Sequence, residues 1–223
     1  ELKRFPLLRS YLGGSAGSGK STTLRTVLQH LRLLFQKESV EAAVELTAYT
    51  GVAAFNIGFG AKTACSAFRI FPNASFKQEL KGEQLRALEK QWENVVLLIV
   101  DEVSFIGRAF FHRMHCRLQQ AERAFFAERG LDPEKSSGFG DISMILVGDF
   151  GQLEPIEDVS ICDDETTYAT CPKPLWKLWG HAQAGRQLLQ SFKEAIMLRR
   201  IHRSKSDLWW TESCLRLRVF VLS

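Results

Sequence analysis

The sequence predicts an α/β fold, a mostly parallel sheet flanked by helices. Two apolar runs, "VVLLIV" at 95–100 and "ISMILV" at 142–147, lack the apolar-polar alternation of a half-exposed strand, so each is read as a strand covered on both faces. Helical patterns separate the candidate strands, and strands alternating with helices run parallel through crossover connections. The 223 residues suffice for one well-buried domain, and 45% hydrophobic against 24% charged residues is the balance of an ordinary folded chain.

The elements follow in order. "LLRSYLGG" is a strand entering a glycine loop, and residues 21–35 are a helix with Leu24, Val27, Leu28, Leu31 and Leu34 on one face. "AAVELTA" is a second strand, and the small residues of "YTGVAAFNIG" set a tight turn and a short helix. Residues 69–92 read as a small inserted lobe, loop-like around Pro72 and then helical through "KQELKGEQLRALEKQW". The strand 95–100 precedes a helix over 104–129, "LDPEKSSGFGD" is a loop, and 142–147 is the next central strand. An irregular stretch runs through "EDVSICDDETTYATCPKP", followed by a helix over 176–191 and a strand near "EAIMLR".

Composition excludes several classes. Five cysteines at 65, 116, 162, 171 and 214 form no CxxC pair, which argues for reduced thiols rather than a disulfide framework or a zinc site. The apolar runs are far shorter than the roughly 20 residues of a membrane span, so no membrane association is expected. The net charge of +4 permits a polyanionic partner without demanding one. The first residue is Glu and the glycine loop follows almost at once, so the chain is expected to be a fragment.

"GSAGSGKS" at 14–21 fits the G-x-x-x-x-G-K-[ST] phosphate loop, and it lies between a predicted strand and a predicted helix, as that motif requires. Gly14, Gly17 and Gly19 let the backbone curl so that N–H groups converge on phosphate oxygens, with Ser15, Ala16, Ser18 and Thr22 completing the ATP cradle. Lys20 would bridge the β and γ phosphates and Ser21 would hold Mg2+. "LLIVDE" delivers Asp101 to the carboxyl end of another strand as the second metal-side ligand, and Glu102 as the base that activates water. "ILVGDFGQLEP" carries a third strand into Asp149 and Gln152, and the Gln152 amide is read as a γ-phosphate sensor.

Taken together, "GSAGSGKS", "LTAYTGVAAFNIG…KTACSAF", "LIVDEVSFIG" and "LVGDFGQLEPI" resemble, in this order, the first ATPase domain of the PIF-type DNA helicases over residues 11–218. The resemblance implies a RecA-like phosphate-loop NTPase domain filling 1–223 and 5′ to 3′ movement on single-stranded or forked DNA, powered by ATP and Mg2+. It implies roles in DNA repair, recombination and genome or telomere maintenance. It implies an intracellular address, the nucleus first and the mitochondrion second. It places Thr47, Thr50, Gly51, Thr63, Ser66 and Phe68 at the DNA, with hydroxyls on phosphates; the Phe68 ring could stack on a base, although a phenylalanine is more often core than platform. In "LRRIHRSKSDLWW" it selects Arg203 as the arginine finger, with Arg200 as the runner-up. The pattern departs at Cys65, where the family usually has His, at Glu154 for Pro and at Phe105 for Met. The family's second ATPase domain, which closes on the first around ATP, is expected in the full-length protein, and without it the chain is expected to bind ATP without unwinding. Two alternatives stand beside this reading: a non-catalytic nucleotide- and DNA-binding remnant, and a small-molecule kinase.

Overall fold

A computed structural model describes residues 7–71, 79–128, 138–163 and 169–202. Six strands, β1 (Arg9–Gly14), β2 (Val44–Ala48), β3 (Lys62–Thr63), β4 (Leu97–Asp101), β5 (Ser143–Gly148) and β6 (Glu194–Leu198), form one sheet in the order β3-β2-β4-β5-β1-β6. Every pairing between them is parallel. The register aligns Gly13 with Gly148, Gly14 with Leu198 and Ala48 with Asp101, so β1, β2, β4, β5 and β6 end near one level with their carboxyl ends on one edge.

The helices are α1 (Lys20–Leu34), α2 (Lys37–Ala43), α3 (Gly51–Ile57), α4 (Ala64–Ala67), α5 (Gly82–Trp92), α6 (Arg108–Glu128) and α7 (Trp179–Leu189). Both faces of the sheet are covered. Leu98, Val100, Met144 and Leu146 point to one face, where Leu88 and Trp92 of α5 and Phe111, Met114 and Leu118 of α6 meet them. Leu12, Leu46, Ile99 and Val147 point to the other, against Leu24 and Leu28 of α1 and Ala54 and Ile57 of α3. Residues of alternate parity on one strand thus bury on opposite faces, which is why the apolar runs show no alternation.

Several boundaries differ from expectation. A second helix, α2, precedes β2, whose start moves to Val44. The expected 104–129 helix divides: Val103–Phe105 is a 3-10 turn, and α6 starts at Arg108 under a remote cap. The Asp158 carboxylate accepts the N–H groups of Ala109 at 3.2 Å, Phe110 at 3.0 Å and Val159 at 2.8 Å. The 176–191 helix likewise divides into a 3-10 segment, Lys173–Leu178, and α7. On α1 only Leu24 and Leu28 are buried, while Val27 and Leu34 are 41% and 75% exposed. The described part of 69–92 shares the main core through Leu80, Leu88 and Trp92, rather than building one of its own.

Candidate active site

The site forms where β1, β4 and β5 end. β5 lies between the other two, so the loop after it sits between the glycine loop and the acidic pair. Glycine is required at two points of the first loop. Gly19 caps α1 at φ 97°, in the left-handed region, and a Cβ at Gly14 would stand 2.8 Å from the Leu198 carbonyl oxygen and run into the Ser18 hydroxyl. The loop is closed by Ser18 N–H donating to Ser15 O at 3.1 Å and by His202 N–H donating to Gly17 O at 2.8 Å. Lys20 folds back over it, its Nζ donating to Gly14 O at 2.6 Å and Ser15 O at 3.2 Å. The buried Ser18 hydroxyl has no hydrogen-bond partner among the described residues, a polar group turned into a glycine-lined cradle. Ser21 and Thr22 stand exposed on the first turn of α1.

Asp101 is 7% exposed and accepts the Glu102 N–H at 2.9 Å. Burial pushes its carboxyl up, opposed by that hydrogen bond and by the Lys20 charge. Glu102 is half-buried, with its backbone at φ 56°, a left-handed conformation uncommon outside glycine. Burial first and then the Asp101 charge raise its carboxyl, and Lys20 opposes them. A carboxylate raised in this way is a stronger base than a solvated one. A Cβ at Gly148 would meet the Val103 nitrogen at 3.0 Å, so the end of β5 presses directly on the turn that follows Glu102.

Asp149 is buried, and its carboxylate accepts Gly151 N–H at 3.1 Å and Gln152 Nε2–H at 3.3 Å. Gln152 is exposed at the same edge. The structure therefore brings Lys20, Ser21, Asp101, Glu102 and Gln152 to one sheet edge, while Arg200 is exposed beyond β6 and Arg203 lies outside the described residues. Asp149 was the residue that sequence reasoning left without a role; its spacing from Gly151 and Gln152, which suits a side chain that ties its own turn, was the available signal.

The proposed DNA positions divide. Phe68 is 0% exposed and packs on Trp92 with ring centroids 4.9 Å apart, so of its two readings the core one holds, it has no face for a base, and its place in the DNA set is corrected. Thr47 is likewise fully buried between β strands, its hydroxyl donating to Ile99 O at 3.3 Å, and it too is removed from the DNA set. Thr50 and Thr63 cap α3 and α4, accepting Ala53 N–H and Ser66 N–H at 3.2 Å each. Each capping oxygen is an acceptor, so its own O–H remains a donor. Gly51 and Ser66 are exposed beside them, and Phe55 on α3 is 86% exposed.

Residues 9–197 match the model of the PIF1-like helicase family. The chain belongs to that family. It is 27% identical over 206 residues to the ATP-dependent DNA helicase PIF1 of Saccharomyces cerevisiae (strain YJM789), covering 92% of this chain and 20% of that protein. It is 33% identical to the ATP-dependent DNA helicase PIF1 of Xenopus laevis, over 67% of this chain and 20% of that protein. The chain thus spans about a fifth of the length of these relatives. Among solved structures, it superposes on Pif1 helicase from Candida albicans with a TM-score of 0.64 at 23% identity, covering 95% of this chain and 40% of that one. It superposes on Pif1 from Bacteroides in complex with ADP-AlF3 and single-stranded DNA with a TM-score of 0.58 at 20% identity, over 96% of this chain and 43% of that one. The fold is the RecA-like domain of these helicases. Four described cysteines are free thiols, and among the described residues no group of His, Cys, Asp and Glu could hold a metal by itself and no helix is long and apolar enough to cross a membrane.

Proposed function

We propose that this chain is the first ATPase domain of an ATP-dependent DNA helicase that moves 5′ to 3′ on single-stranded or forked DNA. The observation that carries the reading is the convergence of the glycine loop, Asp101–Glu102 and Gln152 on one strand edge around Lys20. The residues suit ATP and Mg2+. The glycine curl leaves room for phosphates against backbone N–H groups, the Ser18 hydroxyl is unpaired among the described residues, and Asp101 is a buried carboxylate that a cation would relieve. Ser21 and Asp101 supply the hard oxygens that magnesium takes. When bound, the magnesium nucleotide supplies the phosphoryl bond to be cleaved and the charge that draws both ligands in.

Around it the chain's own groups act. Lys20 Nζ leaves Gly14 O and Ser15 O for the β and γ phosphates. Glu102 takes the proton of the attacking water at a carboxylate oxygen, which its raised proton affinity favours. Gln152 registers whether the γ phosphate is present. Arg203 supplies the cation for charge that develops on the transferring group, and a second ATPase domain in the full-length protein closes over the edge. Thr50, Gly51, Thr63 and Ser66 hold the DNA backbone through hydroxyl and N–H donors, contacts that carry no sequence information. DNA repair, recombination and telomere maintenance, in the nucleus or the mitochondrion, are the cellular roles this activity fits. ATP hydrolysis measured with and without single-stranded DNA, on this chain and on the full-length protein that contains it, tests the reading. DNA-stimulated hydrolysis in the longer protein, abolished by Lys20→Ala, is expected; hydrolysis indifferent to both DNA and Lys20 refutes it.

A further inference from the structure

The turn after β5 is fastened at several points. Phe150 stacks on Tyr11 of β1, ring centroids 4.9 Å apart and planes 24° from parallel, and the Tyr11 hydroxyl donates to Gly148 O at 3.1 Å. Gln152 N–H donates to Asp149 O at 3.0 Å. Two further donors converge on the Asp149 side chain, Gly151 N–H on Oδ1 and Gln152 Nε2 on Oδ2. Among the described residues, the bond to Asp149 is the one hydrogen bond made by the Gln152 side chain, which is otherwise exposed. A carboxylate offers acceptors alone, so only the NH2 end of the amide can face it. The Gln152 amide is therefore oriented before any ligand arrives, with Oε1 and the second N–H left to the site.

We propose that Asp149 is the positioning residue for the Gln152 sensor, fixing which end of its amide faces the γ phosphate. The inference rests on the reading of Gln152 as that sensor. Asparagine at 149 has one acceptor oxygen for two donors. The Gly151 bond lies within the turn's own backbone, so the exposed Gln152 amide is the one released.

The test needs no turnover. Binding of ADP and of a non-hydrolysable β,γ-imido ATP analogue, each with magnesium, is measured on the 223-residue chain by competition with a fluorescent nucleotide. Wild type, Asp149→Asn, Gln152→Ala and the double variant are compared, with melting curves to confirm folding. The proposal expects wild type to prefer the ATP analogue, and each single variant to lose that preference by about tenfold, the worth of one charge-assisted hydrogen bond. ADP affinity stays unchanged, and the double variant loses no more than either single one. Phe150→Leu, which removes the stack on Tyr11 and so loosens the turn that holds Asp149 against Gln152, loses preference in the same direction and by less, and it stands in should Asp149→Asn not fold. If Gln152→Ala loses the preference while Asp149→Asn or Phe150→Leu keeps it, the positioning role is overturned and the sensor survives. Additive losses in the double variant, or a fall in ADP affinity in Asp149→Asn, also overturn it. If Gln152→Ala keeps the preference, the sensor reading itself fails and the proposal falls with it.

Discussion

Replacing Phe68 by alanine separates two roles that the same residue can hold in this family motif. The ring is fully buried against Trp92, so its loss removes a Phe-sized burial worth about 3 kcal/mol and an aromatic pair worth about 1 kcal/mol. The sum, about 4 kcal/mol, falls inside the ~3–5 kcal/mol range of Phe→Ala core substitutions. For a domain of this size each kcal/mol moves the melting temperature by about 2–4 °C, so Phe68→Ala should melt roughly 8–16 °C below wild type. The assay is thermal unfolding followed by circular dichroism, beside single-stranded DNA binding measured well below the lower transition. Phe55→Ala is the surface control: that ring is 86% exposed, and its removal should shift stability by no more than about 0.5 kcal/mol. A Phe68→Ala variant that melts with wild type but binds DNA tenfold more weakly would refute the core assignment and restore the stacking role.

Two further outcomes follow from packing and charge. Burial and the Asp141 charge push the Glu122 carboxyl from 4.5 up to about 8, so between those values the folded chain holds a proton that the unfolded chain has released, and stability falls as pH rises through that window. Glu122→Gln should therefore flatten the slope of melting temperature against pH, gaining most above the raised value and little below the unfolded one; an unchanged slope would contradict the assignment. On α7, a Cβ at Gly185 would stand 2.8 Å from the Arg108 carbonyl carbon, whereas one at Gly180 meets nothing within 4 Å. Gly185→Ala should destabilise by about 1–3 kcal/mol through overpacking, and Gly180→Ala should stabilise by roughly 0.5 kcal/mol through helix propensity, both read from denaturant midpoints.

The parts of the fold legible in the sequence were those whose cause is local. The glycines of 14–19 must be glycines because of backbone conformation and close approach, and the unalternated runs of β4 and β5 state that both faces are covered. The acidic pair and Gln152 were legible because a buried strand leaves its next residues at the ligand edge. What stayed hidden depends on partners distant in sequence. A phenylalanine in a motif can be platform or, more often, core, and Trp92, 24 positions away, decides for Phe68. The start of α6 is fixed by Asp158, about 50 residues downstream, which no local capping pattern near Arg108 could reveal. The Thr47 hydroxyl looked available for phosphate until β4 supplied the Ile99 carbonyl. Helix α2 was hidden because its seven residues are too few to show a clear helical period before β2 begins.

Calorimetric titration of ATP into the chain decides whether the edge formed by β1, β4 and β5 is an ATP·Mg2+ site. Magnesium or a chelator is present, and wild type is set beside Lys20→Ala and Asp101→Asn. An ATP·Mg2+ site there gives saturable one-to-one binding that weakens at least tenfold in Lys20→Ala, and a magnesium dependence that Asp101→Asn removes. Equal affinity in all three proteins, with magnesium or without it, would contradict it.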